Sequence, residues 1–142
     1  MTEILTADPL AAVCAYLQAA TGDVFEMRAF RPDLPQSEDQ FMPRACIVVR
    51  RAGGVSPFGD SYMPITAQRL DIACYGANQQ ECEMVAQSVV VAMKRLTNSH
   101  WENCKLYSAN ISAGPLPSFE ANTLWDMCLV SVQLLFAEDP VN

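Results

Sequence analysis

Arg69-Leu70-Asp71-Ile72-Ala73-Cys74-Tyr75-Gly76-Ala77-Asn78-Gln79-Gln80-Glu81-Cys82 changes its hydrophobic period part-way along, and that change decides the fold. Up to Tyr75 apolar and polar residues alternate, with Leu70, Ile72 and Cys74 on one side, the period of a strand. Gly76-Ala77-Asn78 ends that strand. Asn78 followed three residues later by Glu81 is a capping-box-like helix start. From there Cys82, Val85, Val89, Met93 and Leu96 recur at spacings of three or four, which gives one apolar helix stripe. Lys94 and Arg95 suit the negative C-terminal end of that helix. At 100° per residue Val91 falls on the opposite side, level with Gln80, Gln87 and Lys94.

Working upstream, Ala45-Cys46-Ile47-Val48-Val49-Arg50-Arg51 reads as a β-branched strand apolar on both faces, which places it centrally or buries it twice. The stretch Ala52 to Gln68, with Gly53, Gly54, Gly59, Pro57 and Pro64, predicts a long loop joining these two strands into a hairpin. Near the start, Asp8-Pro9 opens a helix whose stripe is Leu10, Val13, Cys14 and Leu17, with Gly22 as its stop. Val24 to Phe30 predicts a short strand, and Arg31 to Asp39 a polar loop broken by prolines. Downstream, Asn98-Ser99-His100-Trp101 reads as a polar turn and Cys104 to Ser112 as a strand. Gly114-Pro115-Leu116-Pro117-Ser118 reads as a break, and Trp125 to Phe136 as the last strand. The order α-β-β-β-α-β-β describes an α+β fold in one domain, residues 1–142. Two helices pack on a mainly antiparallel sheet of about five strands.

Composition narrows the function classes. The 142 residues carry 16 acidic and 9 basic side chains, a net charge of −7, which opposes any broad phosphate-binding face. No apolar run is long enough for a membrane span, and the N-terminus lacks a signal-peptide pattern, so residence in a cytosol is expected. Cysteines 14, 46, 74, 82, 104 and 128 each sit in an apolar periodic segment and are expected as free, buried thiols. There is no C-x-x-C, and His100 is the only histidine, so no metal site is expected. Gly54 to Gly59 lacks G-x-S-x-G spacing, no phosphate-cradling glycine motif occurs, and Ser37-Glu38-Asp39 lacks calcium-loop spacing. No catalytic residue and no cofactor are assigned, and the chain is read as a non-enzyme.

Unplaced apolar residues carry more information. Val91 lies opposite its helix stripe; Phe58, Tyr62, Met63 and Ile65 fall in the long loop; Leu129 and Leu135 lie on the second face of the last strand. Several such residues on one small chain point to subunit contacts, and these seven form the expected interface set. Phe58→Asp or Tyr62→Asp is then expected to weaken self-assembly while the subunit stays folded, which sedimentation together with circular dichroism would read. Unfolding instead would assign those aromatics to the core.

The segment Arg69 to Ala77 with Glu81, Ala86 and the helix to Leu96 resembles the strand–Gly-Ala–helix segment of the tail terminator, or tail completion, proteins of long-tailed bacteriophages. Gly114-Pro115, the stretch Asn122-Thr123-Leu124-Trp125 and a long final strand closing at Glu138 are similar too, so the likeness runs in order along nearly the whole chain. Phe119-Glu120-Ala121-Asn122 departs from the Asp- and Gly-rich turn that relatives often carry there. The resemblance implies a structural virion protein, assembled in the host cytoplasm, that forms a homo-oligomeric ring, commonly a hexamer. Such a ring caps the head-proximal end of the tail tube and ends its polymerisation. Its partners would be further copies of itself, the tail tube protein and the head–tail connector or stopper, with DNA passing through the lumen unbound. The alternatives are a head-completion or connector protein of the neck and a small cytosolic ligand-binding module, since layout alone does not fix the role.

Overall fold

The computed structural model describes residues 9–25, 28–30, 45–57, 66–101, 104–119 and 125–138. In chain order these form α1 (Pro9–Phe25), β1 (Arg28–Phe30), β2 (Cys46–Pro57), β3 (Thr66–Tyr75), α2 (Gln79–Arg95), β4 (Ser99–Trp101), β5 (Cys104–Phe119) and β6 (Asp126–Glu138). The strands make one sheet in the order β1-β2-β3-β6-β5-β4. All neighbours run antiparallel except β1, which pairs parallel to β2. The fold is α+β and mainly sheet.

Both helices cover the same side. From α2, Cys82, Val85, Ala86, Val89, Ala92 and Met93 are buried, and α1 contributes Leu10, Ala12, Val13 and Leu17. They meet Leu70, Ile72 and Cys74 of β3 and Cys128, Val130, Val132 and Leu134 of β6, the even-numbered side of both strands. Each large aliphatic chain so buried contributes about 1.5–3 kcal/mol relative to exposure. Tyr16 fixes α1 on α2 by donating its hydroxyl to the carbonyl of Ala92, and its ring meets Trp101 edge-on with centroids 6.0 Å apart.

The opposite side of the sheet is sealed as well at one end. Cys46, Val48, Ala73 and Tyr75 are each at most 1% exposed, with Trp125, Met127 and Leu129 packed against them. This accounts for the continuous apolar run of β2, in which Cys46 and Val48 face one way and Ile47 and Val49 the other. Toward the other end that side becomes polar. Asp71 accepts a hydrogen bond from the Ser131 hydroxyl at 2.7 Å, and Arg69 and Gln133, register partners, are exposed. None of the six cysteines is in a disulfide; five are buried and Cys14 is half-buried.

Four segments differ from the sequence reading. Helix α1 runs through Gly22 to Phe25, so the strand expected from Val24 shrinks to Arg28–Phe30; a glycine inside a helix costs about 1 kcal/mol against alanine and does not end it alone. The stretch Ala52–Gln68 is largely strand at both ends: β2 reaches Pro57, and β3 begins at Thr66. A register shift between Arg51 and Val55 absorbs Gly53-Gly54 as an irregularity in the ladder. Ser99–Trp101 is a sixth, edge strand rather than a turn, held where half-buried Trp101 packs on Tyr16. Finally, β5 passes through the Gly114-Pro115 break to Phe119, with register shifts between Ile111 and Leu116. An edge strand tolerates proline where the lost N–H would face away from the ladder.

Candidate assembly surface

The outer side of α2 is set by its start. Asn78 Oδ1 accepts from the amide of Glu81 at 2.9 Å, and Glu81 Oε1 accepts from the amide of Ala77 at 3.0 Å. The reciprocal cap is therefore shifted by one residue from the usual pairing, and it still satisfies orphan donors of the first turn. With the core stripe thus aimed at the sheet, Met84 and Val91, seven residues apart, share the outward side at 50% and 46% exposure. Gln80, Glu83, Gln87, Lys94 and Arg95 surround them and are exposed. The hydroxyl of Ser88 donates back to the carbonyls of Met84 and Val85, so it is occupied by the helix itself.

Next to this helix, the distal half of β5 stands in solvent. Residues 112–117 are all exposed, Leu116 at 53%. Gly114 has φ +100°, and a Cβ there would lie 2.4 Å from the Leu129 carbonyl oxygen, so only glycine fits between the strands at this point. Glu83 and Gln87 of α2 face Pro115 and Pro117 of β5 across an open cleft of about 220 Å³ with Cys128 also in its lining. Pro115 and Pro117 thus face the helix side, whereas Leu116, register partner of Leu129, lies on the side of the sheet away from the helices.

The thiol of Cys128 in the cleft lining, and those of Cys82 and Cys74 in the core, are held protonated. Burial pushes Cys82 up to about 12 from its ordinary value of 9.0, with Cys128, Asp126 and Glu81 adding to it and a backbone hydrogen bond from Gly76 opposing. Burial likewise raises Cys74 well above its ordinary value, and raises Cys128, where Glu83 adds and a hydrogen bond from Gln79 Nε2 at 3.2 Å opposes. Protonated thiols are poor nucleophiles and poor metal ligands. The folded state binds the Cys82 proton more tightly than the unfolded chain does. That part of the stability is complete below the ordinary thiol value and is lost as pH rises toward the folded value. The thermal midpoint is expected to fall as pH climbs from about 9 to about 12, and less steeply in Cys82→Ala. Equal slopes in a pH series of melts would remove Cys82 as a cause.

The seven residues singled out by sequence divide into three groups. Phe58, Tyr62, Met63 and Ile65 lie outside the described residues. Val91 is on the outer side of α2. Leu129 and Leu135 are half-buried on the side of β6 away from the helices, Leu129 packed on the second cluster. The sheet separates Val91 from these two, so they do not share a surface. Met84 and Leu116 were missed. Met84 was legible as the partner of Val91 seven residues earlier, whereas Leu116 sat inside what reads as a loop. His100 is exposed on β4, with Lys105 as its register partner. Among the described residues no group of three His, Cys, Asp or Glu is arranged to hold a metal ion, and no helix is long and apolar enough to cross a membrane.

The sheet-and-two-helix layout can now be set beside known proteins. It is distantly similar to a bacteriophage protein. The structure of the gp17 protein of bacteriophage SPP1 aligns with a TM-score of 0.48 and 12% sequence identity, covering 86% of this chain and 84% of that one. No family model and no curated protein matches the sequence.

Proposed function

We propose that this chain is a virion assembly protein of a long-tailed bacteriophage, working as a closed homo-oligomeric ring, commonly six copies, at the head-proximal end of the tail tube. The observation that carries self-assembly is the surface formed by α2 and distal β5. There Met84 and Val91 of α2 are about half exposed on the helix side, beside a strand segment, residues 112–117, that carries no charge, and Leu116 is half exposed on the opposite side of the sheet. Apolar side chains exposed together on so small a molecule point to a protein contact. The assignment to phage tails rests on the sequence resemblance of the Arg69–Leu96 segment and the C-terminal strand.

In this reading the chain makes and breaks no bond. It acts by fitting against copies of itself, against the tail tube protein on one side and against the head–tail connector on the other. DNA passes the lumen without being held, because a chain of net charge −7 gains little from counterion release. Deleting the gene from its phage separates this role from its neighbour: overlong or unjoined tails are expected, seen by electron microscopy of lysates. Normal tails beside heads that leak DNA would place the chain in the neck instead. A stable monomer that binds a small molecule would remove the assembly reading altogether.

A further inference from the structure

Among the described residues the sheet has two edges, each covered by a further strand only at one corner. On one side β1 pairs with Cys46–Val48, so the outer edge of β2 from Val49 to Pro57 has no partner strand among the described residues. On the other side β4 pairs with Cys104–Leu106, and the amide of Asn98 reaches the carbonyl of Tyr107 at 3.2 Å. From Ser108 to Phe119 the outer edge of β5 has no partner strand among the described residues. From Tyr107 to Phe119 there is no charged residue, in a chain that is 18% charged. Solvent-facing sheet edges are ordinarily guarded by lysine, proline or a covering element. Pro115 and Pro117 guard the far end here, and neither lysine nor proline occurs from Ser108 to Ala113.

Resting on the self-assembly reading above, we propose that Ser108–Ala113 of β5 pairs edge to edge with the outer edge of β2 of the next copy. The direction is right: β2, β3, β6 and β5 alternate, so β2 and β5 of one chain run opposite ways. A copy placed alongside without being turned over thus offers an antiparallel partner, the slightly more stable pairing. The shared register then aligns the two open stretches: Ser108 is level with Ser56 through Leu135 and Ala67, and Ala113 with Arg50 through Ser131 and Asp71. Copies at equal height therefore bring Ser108–Ala113 against the open edge of β2, and only Leu116–Ser118 come level with the part of β2 that β1 covers. The contact joins two different surfaces, which is the kind that closes into rings.

The test uses the full chain and proline scanning of both edges. Successive residues point their N–H groups to opposite sides, so of Ala109→Pro and Asn110→Pro one removes an outward donor and the other a bond to β6. The same holds for Arg50→Pro and Arg51→Pro on β2. The outward variant of each edge is expected to keep its circular dichroism and lose the ring species at concentrations where the unmodified chain is fully assembled. Mixing the two blocked forms restores one working contact and should give dimers and no rings. Hydrogen exchange on the unmodified chain needs no variant: on assembly, amides in Ser108–Ala113 and in Val49–Ser56 should gain protection. Rings that form with those amides unprotected, or folded edge variants that assemble normally, overturn the edge pairing and leave the assembly reading standing. An unmodified chain that never assembles overturns both.

Discussion

Tyr75→Ala is expected to lose about 3–5 kcal/mol of stability, the range for emptying a large aromatic from a closed core. Tyr75 ends β3 on the side away from the helices, where an ordinary two-layer α+β domain would meet water. It is nevertheless 1% exposed, packed with Cys46, Val48 and Ala73, and its ring meets Trp125 edge-on with centroids 6.4 Å apart. Removing the ring leaves a hole between strands that are hydrogen-bonded on both sides and so cannot close around it. Tyr75→Phe keeps the volume and should cost little more than one hydrogen bond, about 0.5–1.5 kcal/mol. Urea unfolding of the two variants reads the difference. A loss under about 1 kcal/mol for the alanine variant would mean that this side of the sheet is not sealed.

Gly76→Ala should be the next most damaging change. A Cβ at Gly76 would lie 2.8 Å from the amide nitrogen of Cys82 and 2.9 Å from the Cβ of Glu81, both in the first turn of α2. Backbone cannot swing aside as a side-chain end does, so the helix start must shift, and overpacking of this kind costs about 1–3 kcal/mol. The shift also disturbs the Asn78–Glu81 cap, which adds about 1 kcal/mol. For a chain near 150 residues each kcal/mol moves the melting midpoint by about 2–4 °C, so a drop of several degrees is expected. Ala77→Ser, one residue on at an exposed position, is the control and should leave the midpoint nearly unchanged. An equal midpoint for Gly76→Ala would show that strand and helix do not approach as described.

Much of the architecture was legible because it rests on local periodicity. The alternation of Leu70, Ile72 and Cys74, and the stripe Cys82, Val85, Val89, Met93 and Leu96, name the faces that meet in the core. The even-numbered face of β6 is buried as its pattern requires. What local pattern could not carry was structure imposed from a distance. Ser99–Trp101 has turn-like polarity, yet β5 supplies its ladder and Tyr16 supplies packing for Trp101. Gly114, Pro115 and Pro117 spell a break, yet β6 continues alongside them and the irregular register accommodates them. For the same reason Leu116 was hidden from sequence, since its exposure follows from β5 running on as an outer strand. Val91 was found because a helix wheel is a local device, and Met84 would have followed from the same wheel.

If these chains fit against one another, sedimentation velocity of the purified protein across a concentration series will find a single assembled species of fixed copy number, and negative-stain electron microscopy of the same samples will show closed rings with a central opening. A strict monomer at every concentration, or a polymer of indefinite length, would contradict that fit.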